Sequence, residues 1–277
     1  MTGRSARLAL AAGSVLDVPA LEVVRIAAGA GFGSVGLRAS GPHALEARDR
    51  RQVRRFADGL GVAIHDLEVH RIGVGADGAE TEPGPLLRSA ADLGASFVLA
   101  VSDLADAETT RDALAAVVAR AHEMGQRIGL EYMAWTTPST PVAAIEMAAA
   151  TGAWLVVDLL HHHRVGAGVD ELDAIVTSGR LGWVQLSDGP REAPTDLVYE
   201  ARHARLPPGE GELPLAALLE RIPDHVTVSV EVQSDEMVRR RPPADRARDL
   251  AAAARSTLEA VELSRRARPG SDRSTDG

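Results

Sequence analysis

Short apolar segments alternate with longer amphipathic segments along the whole chain, and this alternation restricts the fold more than any other feature. A strict strand–helix alternation predicts a parallel sheet covered by helices, and eight such units can close into a (β/α)8 barrel. The length of 277 residues suits a barrel of one domain. The predicted strands are Arg7–Ala12, Phe32–Leu37, Val62–His70, Ser96–Val101, Arg127–Glu131, Trp154–Asp158, Gly182–Ser187 and Val226–Glu231.

The position of the polar residues separates a closed barrel from an open doubly wound sheet, which is the alternative. Polar side chains gather at strand ends throughout the second half of the chain, and barrel enzymes build their sites at that face. We therefore predict an α/β fold, a single-domain (β/α)8 TIM barrel over residues 1–267. Residues 268–277 are rich in Gly, Ser and Asp, and a flexible tail is expected there.

Composition excludes several kinds of chemistry. The chain has no cysteine, so disulfides, thiolate nucleophiles and zinc–thiolate sites are impossible. All 30 basic residues are arginine, so no lysine Schiff base can form. A net charge of −9 without a basic cluster argues against a nucleic-acid partner. No apolar run approaches about 18 residues, so no membrane span is expected. The amino terminus is interpreted as the first strand and not as a signal peptide, and the expected location is cytoplasmic.

Four strand ends carry side chains that can bind a metal ion, namely Glu131, Asp158, Gln185 and Glu231. Side chains alternate faces along a strand, and the parity of each segment turns all four towards the barrel interior. Carboxylate and amide oxygens suit Mn²⁺ or Mg²⁺ better than zinc, with Co²⁺ as a further candidate. Each residue alone could be a strand-end cap or an ion-paired side chain. Together they predict one divalent-metal site.

A resemblance becomes specific around these positions. The motifs that carry it are Gly-Leu-Glu131-Tyr-Met-Ala-Trp135, Val-Val-Asp158-Leu-Leu-His161, Val-Gln185-Leu-Ser-Asp188, Leu-Pro-Pro-Gly209-Glu-Gly211-Glu-Leu-Pro and Val-Glu231-Val. In them, and over roughly Leu8 to Leu258, the sequence resembles the xylose isomerase-like barrel superfamily, often labelled sugar phosphate isomerase/epimerase. The resemblance implies that the four strand-end residues bind the metal and that His161 contacts substrate oxygens. Many members have His where this chain has Gln185, and Gln there is similar to 3-dehydroshikimate dehydratases of the same superfamily.

Further side chains are candidates for substrate contacts. The resemblance supports one arginine near the Pro-Pro-Gly-Glu-Gly loop, where Arg205 is preferred to Arg202 because a solvated role suits Arg202 better. The predicted substrate-binding residues are His161, Arg205, His70, Glu68, Trp135 and Arg38. Ser187 and Asp188 are expected to orient ligands. Structural or surface roles are expected for His162 and His163, and turns for Gly209 and Gly211.

The resemblance and the ligand set imply a metal-dependent isomerase or epimerase that converts a sugar or related polyol through an enediolate. Glu131 and Glu231 would transfer protons on two sides of the site, with His161 as a third catalytic candidate. The first alternative is a dehydratase or lyase acting on 3-dehydroshikimate, a keto-inositol or a keto-glycoside. A non-catalytic sugar-binding barrel is another. A nuclease similar to the apurinic endonucleases is disfavoured by the acidic charge. The expected partner is a carbohydrate-like small molecule, and a homo-oligomer stays open because relatives are often dimers or tetramers.

Overall fold

The structure of the protein is a computed structural model that describes residues 7–39, 43–73 and 82–267. The predicted tail over 268–277 and the first six residues of the predicted domain lie outside the described residues. Eight parallel strands form a closed barrel in chain order, which confirms the predicted (β/α)8 architecture and excludes the open sheet. The strands are β1 (Leu8–Leu10), β2 (Ser34–Arg38), β3 (Ala63–Ile72), β4 (Phe97–Ser102), β5 (Ile128–Glu131), β6 (Trp154–Asp158), β7 (Leu181–Leu186) and β8 (Thr227–Val230).

Eleven α-helices lie among the described residues, and they surround the barrel. None of them is both long and apolar enough to cross a lipid bilayer. The helices are α1 (Ala20–Ala30), α2 (Ala47–Leu60), α3 (Gly84–Leu93), α4 (Ala107–Glu123), α5 (Pro141–Thr151), α6 (Leu159–Arg164), α7 (Val169–Thr177), α8 (Leu197–His203), α9 (Leu215–Leu219), α10 (Asp235–Arg240) and α11 (Pro243–Ala267).

Three of these helices, α6, α8 and α10, are not among the elements predicted from the sequence. Each is six or seven residues long, which is too short to show a helical periodicity. Their starts are instead fixed by capping side chains. Asp158 accepts hydrogen bonds from the backbone N–H groups of Leu160 (2.8 Å) and His161 (3.1 Å), so α6 begins directly after β6. This cap places His161 on the first turn of a helix at the mouth of the barrel.

The inside of the barrel is divided into an aromatic part and a small-residue part. Phe97 and Trp183 fill the side formed by β4 and β7, with ring centroids 4.9 Å apart. Small side chains occupy the opposite side, where Ala9 of β1 stands in register with Ser34 of β2 and Ser229 of β8. Gly129 on β5 makes room for the indole of Trp183, because a Cβ atom at this glycine would lie 2.3 Å from the ring. The large indole of Trp183 is thus accommodated in the barrel because residue 129 has no side chain.

We expect the substitution Gly129→Ala to lower the free energy of unfolding by about 1–3 kcal/mol, since an added methyl group overpacks a filled core. Its Cβ would also lie 2.8 Å from Val156 Cγ2, so the indole cannot move aside freely. The measurement is chemical denaturation followed by circular dichroism. Gly59→Ala on α2 is the control, because no atom lies within 4 Å of its added Cβ. That variant should gain about 0.4–1 kcal/mol. Equal stability of the two variants would contradict the packing argument.

Candidate metal centre

The four predicted ligands come together at the carboxyl ends of β5 to β8, and all four side chains are buried. Glu131 and Asp158 are the last residues of β5 and β6. Gln185 on β7 stands directly beside Asp158 in the strand register. Glu231 follows the last residue of β8, and its N–H donates to the carbonyl of Leu186 at 3.0 Å. Neighbouring strands therefore deliver three carboxylates and an amide to one face of the barrel.

His161 forms a compact cluster with two of these residues, Glu131 and Asp158. One oxygen each of Glu131 and Asp158 and one ring nitrogen of His161 all lie within 4.8 Å of one another. His161 Nε2 is 3.9 Å from Glu131 Oε1. Such a triad of two carboxylates and an imidazole can bind a divalent metal ion. The sequence had assigned His161 to the substrate, so the structure brings it closer to the predicted ligands than expected.

A buried arginine holds the centre of the site. Arg205 Nη1 donates to Asp158 Oδ2 at 2.5 Å and lies 3.6 Å from Glu231 Oε2. Arg205 Nη2 is 3.2 Å from His161 Nε2. Because a guanidinium only donates, the ring nitrogen must accept, which makes His161 neutral with its proton on Nδ1. The backbone carbonyl of Ala201 fixes the guanidinium from the other side, through a hydrogen bond from Nε at 2.7 Å.

The crowding of acids shifts their pKa values in different directions. Burial, reinforced by the charges of Asp158 and Glu231, raises the pKa of Glu131 well above its usual range. Burial also raises the pKa of Glu231 to about 7, although Arg205 opposes it. Burial alone would raise the pKa of Asp158, but the charge and hydrogen bond of Arg205, together with His161, outweigh burial and lower that pKa. Burial lowers the pKa of His161 to about 4, so the imidazole stays neutral at physiological pH.

These residues fit a divalent cation by two independent criteria. Gln185 Oε1 is buried and has no hydrogen-bond partner among the described residues, although it faces the other predicted ligands. Burying an amide oxygen without a partner is costly, and a cation would satisfy it. Burial is the main cause of the raised pKa values of Glu131 and Glu231, and neighbouring carboxylates add to both shifts, so a cation would relieve the repulsion among these acids. The donor set can therefore hold a metal ion whose coordination is mainly through oxygen.

A cavity of about 320 Å³ opens above these residues at the mouth of the barrel. It is lined by five of the six predicted substrate-binding residues, namely Arg38, Glu68, Trp135, His161 and Arg205. Arg38 Nη2 donates to Glu68 Oε2 at 3.0 Å. The indole of Trp135 packs edge-on against the ring of His161, with the centroids 5.1 Å apart. A larger cavity of about 890 Å³ lies on the other side of Arg205, but none of the four predicted ligands lines it.

His70 is the predicted contact that does not line the cavity. Strand parity had placed it on the same face as Glu68, but the pairing register between β3 and β4 shifts between Leu67 and His70. Beyond this irregularity Val69 and Arg71 line the cavity instead. The prediction for His70 rested on an uninterrupted two-residue repeat, and the register shift removes that basis.

The remaining polar residues near the site have structural partners. His162 is held between the Tyr132 hydroxyl (2.6 Å) and the carbonyl of Gly168 (2.8 Å). Asp188 does not contact the ligands. It accepts hydrogen bonds from the N–H groups of Gly189, Gly209 and Leu213, and so fixes the Pro-Pro-Gly-Glu-Gly loop. The other structural contacts are Ser187 Oγ with Arg205 Nη1 (3.3 Å), His163 Nε2 with the carbonyl of Arg191 (3.2 Å), and a turn at Gly209 with a φ of +86°.

Sequence reasoning missed one buried acid beside the site. Asp66 lies on β3, two residues before Glu68, and neither of its carboxylate oxygens has a partner among the described residues. Burial raises its pKa well above the usual value, and the charges of Glu68 and Glu231 add to the shift. The two-residue spacing from Glu68 was the signal that could have found it. A buried carboxyl group with a raised pKa therefore lies close enough to interact with the charges of Glu68 and Glu231.

Comparison with protein families matches residues 24–257 to the model of the xylose isomerase-like TIM barrel family. Comparison with curated proteins gives no match. Solved structures match over nearly the whole chain. A xylose isomerase-like TIM barrel/4-hydroxyphenylpyruvate dioxygenase fusion protein is 23% identical, with a TM-score of 0.78, and the match covers 93% of this chain and 43% of that protein.

Two further structures carry names that state an activity. The probable 3-DHS dehydratase from Bacillus anthracis is 12% identical with a TM-score of 0.71, and the match covers 90% of this chain and 98% of that one. An L-ribulose 3-epimerase is 17% identical with a TM-score of 0.68, and the match covers 94% of this chain and 97% of the other. At these identities the structural matches establish the fold that the sequence motifs had implied.

Proposed function

This chain belongs to the xylose isomerase-like TIM barrel family, and from that premise we propose that it is a divalent-metal-dependent isomerase or epimerase of a sugar or related polyol. The observation that carries the proposal is the pair Glu131 and Glu231 at the ends of β5 and β8, both buried and both with raised pKa values. A raised pKa helps a carboxyl group to both take and return a proton. Two-sided proton transfer requires two such groups.

The metal ion that we propose for the site is Mn²⁺ or Mg²⁺, held by Glu131, Asp158, Gln185 and Glu231, with Co²⁺ as an alternative. When bound, it would polarise a carbonyl of the substrate and stabilise negative charge on the adjacent oxygens. In the proposed reaction Glu231 removes the proton next to the carbonyl, which leaves an enediolate. Glu131 returns a proton to the other face or to the neighbouring carbon. Return of the proton to the other face of the same carbon gives an epimer, and its return to the neighbouring carbon gives an isomer.

The other residues of the cavity orient the substrate in this proposal. Arg205 binds oxygens of the enediolate and keeps Asp158 ionised through their 2.5 Å contact. Neutral His161 accepts a hydrogen bond at Nε2 from Arg205 Nη2 (3.2 Å) and so helps to fix the orientation of the guanidinium. Trp135 forms an apolar wall against the carbon chain of the substrate. Glu68 and Arg38 contact the distal hydroxyl groups.

Elimination of water is the second candidate, and Gln185 is the observation that favours it. Glutamine at this position resembles the pattern of the 3-dehydroshikimate dehydratases of the family. The probable dehydratase from Bacillus anthracis shares the fold. The same acids can serve this reaction. Glu231 takes the proton next to the carbonyl, and Glu131, whose pKa is raised by burial, donates one to the departing β-hydroxyl. The bond to the hydroxyl breaks, a double bond forms and water leaves.

The two reactions differ in the mass of the product, and we expect isomerisation. The protein with Mn²⁺ should convert a ketose or ketose phosphate in deuterated buffer to an isomer that carries one deuterium from the solvent. The panel contains ketoses, their phosphates, keto-inositols and 3-dehydroshikimate, and the readout is mass spectrometry. Removal of the metal with a chelator should abolish the conversion. A product lighter by one water, with no deuterated isomer from any ketose, would overturn the isomerase proposal in favour of the dehydratase.

A further inference from the structure

Four arginine side chains line the cavity above the metal centre, and they differ in their partners. Three of them are each paired with a carboxylate: Arg38 with Glu68 at 3.0 Å, Arg71 with Asp103 at 2.7 Å, and Arg205 with Asp158 at 2.5 Å. The fourth is Arg202 in the last turn of α8, whose side chain is exposed at the cavity. Within residues 7–39, 43–73 and 82–267, Arg202 forms no ion pair and no hydrogen bond.

The different environments of Arg202 and Arg205 are a consequence of the local fold. The carbonyl of Ala201 accepts a hydrogen bond from Arg205 Nε, so the chain turns back after α8 and carries Arg205 into the barrel. Arg202, three residues earlier, is exposed and lines the cavity. Arg205 is committed to the carboxylates of the metal centre. Arg202 is the cation whose hydrogen-bonding capacity is still available to a bound molecule.

The charges around the cavity also favour an anionic ligand. The carboxylates that line the cavity or pair with its four arginines are Glu68, Asp103, Glu131, Asp158 and Glu231, so the ionised groups carry one more negative than positive charge. A divalent cation at the metal centre would leave one positive charge in excess. A negatively charged substrate would balance the loaded cavity, and a neutral sugar would not.

We propose that Arg202 binds an anionic group of the substrate, a carboxylate or a phosphate, and thereby selects an acidic polyol over a neutral sugar. This inference rests on the proposed function, because it names the substrate class of the same site. A guanidinium presents a planar fork that binds the two oxygens of such a group together. The cavity volume of about 320 Å³ admits a small polyol that reaches from Arg202 to the metal centre. The anionic end would then lie at the rim and the reacting carbons at Glu131 and Glu231.

The test measures binding and not turnover. Calorimetry compares D-gluconate, D-glucitol 6-phosphate and D-glucitol, which share a six-carbon chain and differ in one terminal group, with both the Mn²⁺-loaded and the metal-free protein. We expect at least one anion to bind about tenfold or more tightly than glucitol, which corresponds to about 1.4 kcal/mol. Comparison of the two anions distinguishes a carboxylate site from a phosphate site. The substitution Arg202→Gln should remove most of this preference and leave glucitol binding within about twofold of the original.

Two matched variants complete the experiment. Arg120→Gln, at the carboxyl end of α4 and away from the cavity, removes the same charge from an exposed helix and should keep the preference. Arg202→Lys retains the charge without the fork and should show an intermediate preference. Equal affinity for the three polyols, no measurable binding of either anion, or a preference that survives Arg202→Gln would each overturn the inference. Because no reaction is measured, failure of the isomerase assay alone leaves this result standing, and the two proposals fail separately.

Discussion

Turnover should fall by about 10³–10⁴-fold in the variant Glu231→Gln, because the substitution removes both the proposed base and one negative charge of the metal centre. Glutamine has nearly the same shape, so the contact with Gln233 Nε2, now 3.2 Å from Glu231 Oε1, leaves room for it. The amide cannot take the proton next to the substrate carbonyl. The measurement is the initial rate with saturating Mn²⁺ on whichever compound of the panel is converted.

Gln185→His is the matched control for this variant, because it changes the neighbouring ligand without touching a proposed base. Imidazole also binds Mn²⁺ and Co²⁺, so one metal ion per chain should still bind. Titration with Mn²⁺, followed by paramagnetic resonance of the free ion, measures binding in both variants separately from turnover. Loss of the metal in Gln185→His together with an active Glu231→Gln would show that the ligands and the base have been assigned wrongly.

The architecture could be predicted because it depends on patterns that are local in sequence. Eight apolar runs between amphipathic segments predict a parallel sheet of eight strands, and the polar residues at the strand ends favour the closed barrel that the structure shows. The inward direction of Glu131, Asp158, Gln185 and Glu231 was likewise a matter of strand parity, and the structure brings these side chains to one face. Their role as metal ligands stays a prediction.

What could not be predicted depends on contacts between distant parts of the chain. Asp158 and Arg205 are 47 residues apart in sequence, and no periodic pattern predicts that they form a buried ion pair. The burial of Arg205 and the exposure of Arg202 follow from how the loop after α8 packs. The case of His70 differs, since parity was applied correctly but to a strand whose register shifts.

The free energy of unfolding should fall by about 3–5 kcal/mol at neutral pH in the metal-free variant Arg205→Met, because it leaves buried carboxylates without their cation. Methionine fills much of the same volume, so the loss reflects charge more than packing. Arg205 now contacts Asp158 at 2.5 Å and lowers the pKa values of both glutamates. The measurement is urea denaturation between pH 5 and 8, with and without Mn²⁺. Arg164→Met is the control, because it breaks another buried pair, with Glu200, outside the metal centre.

The pH dependence of this deficit follows from the signs of the shifts. Glu231 has a folded-state pKa of about 7, above its unfolded value of about 4.3, so stability is lost as the pH rises between these two values and the penalty is constant above about 7. Without Arg205 this pKa rises further, and the penalty is relieved as the pH falls towards about 4.3, the usual value for glutamate. Asp158 behaves oppositely, since its lowered pKa stabilises the original protein above about pH 3.9, and the variant loses that contribution. The deficit of Arg205→Met should therefore be largest near neutral pH and shrink on acidification. Mn²⁺ should also reduce it, because a bound cation replaces the missing positive charge, whereas Arg164→Met should gain nothing from Mn²⁺. If Mn²⁺ restores neither variant, the guanidinium and the metal do not compensate the same carboxylates.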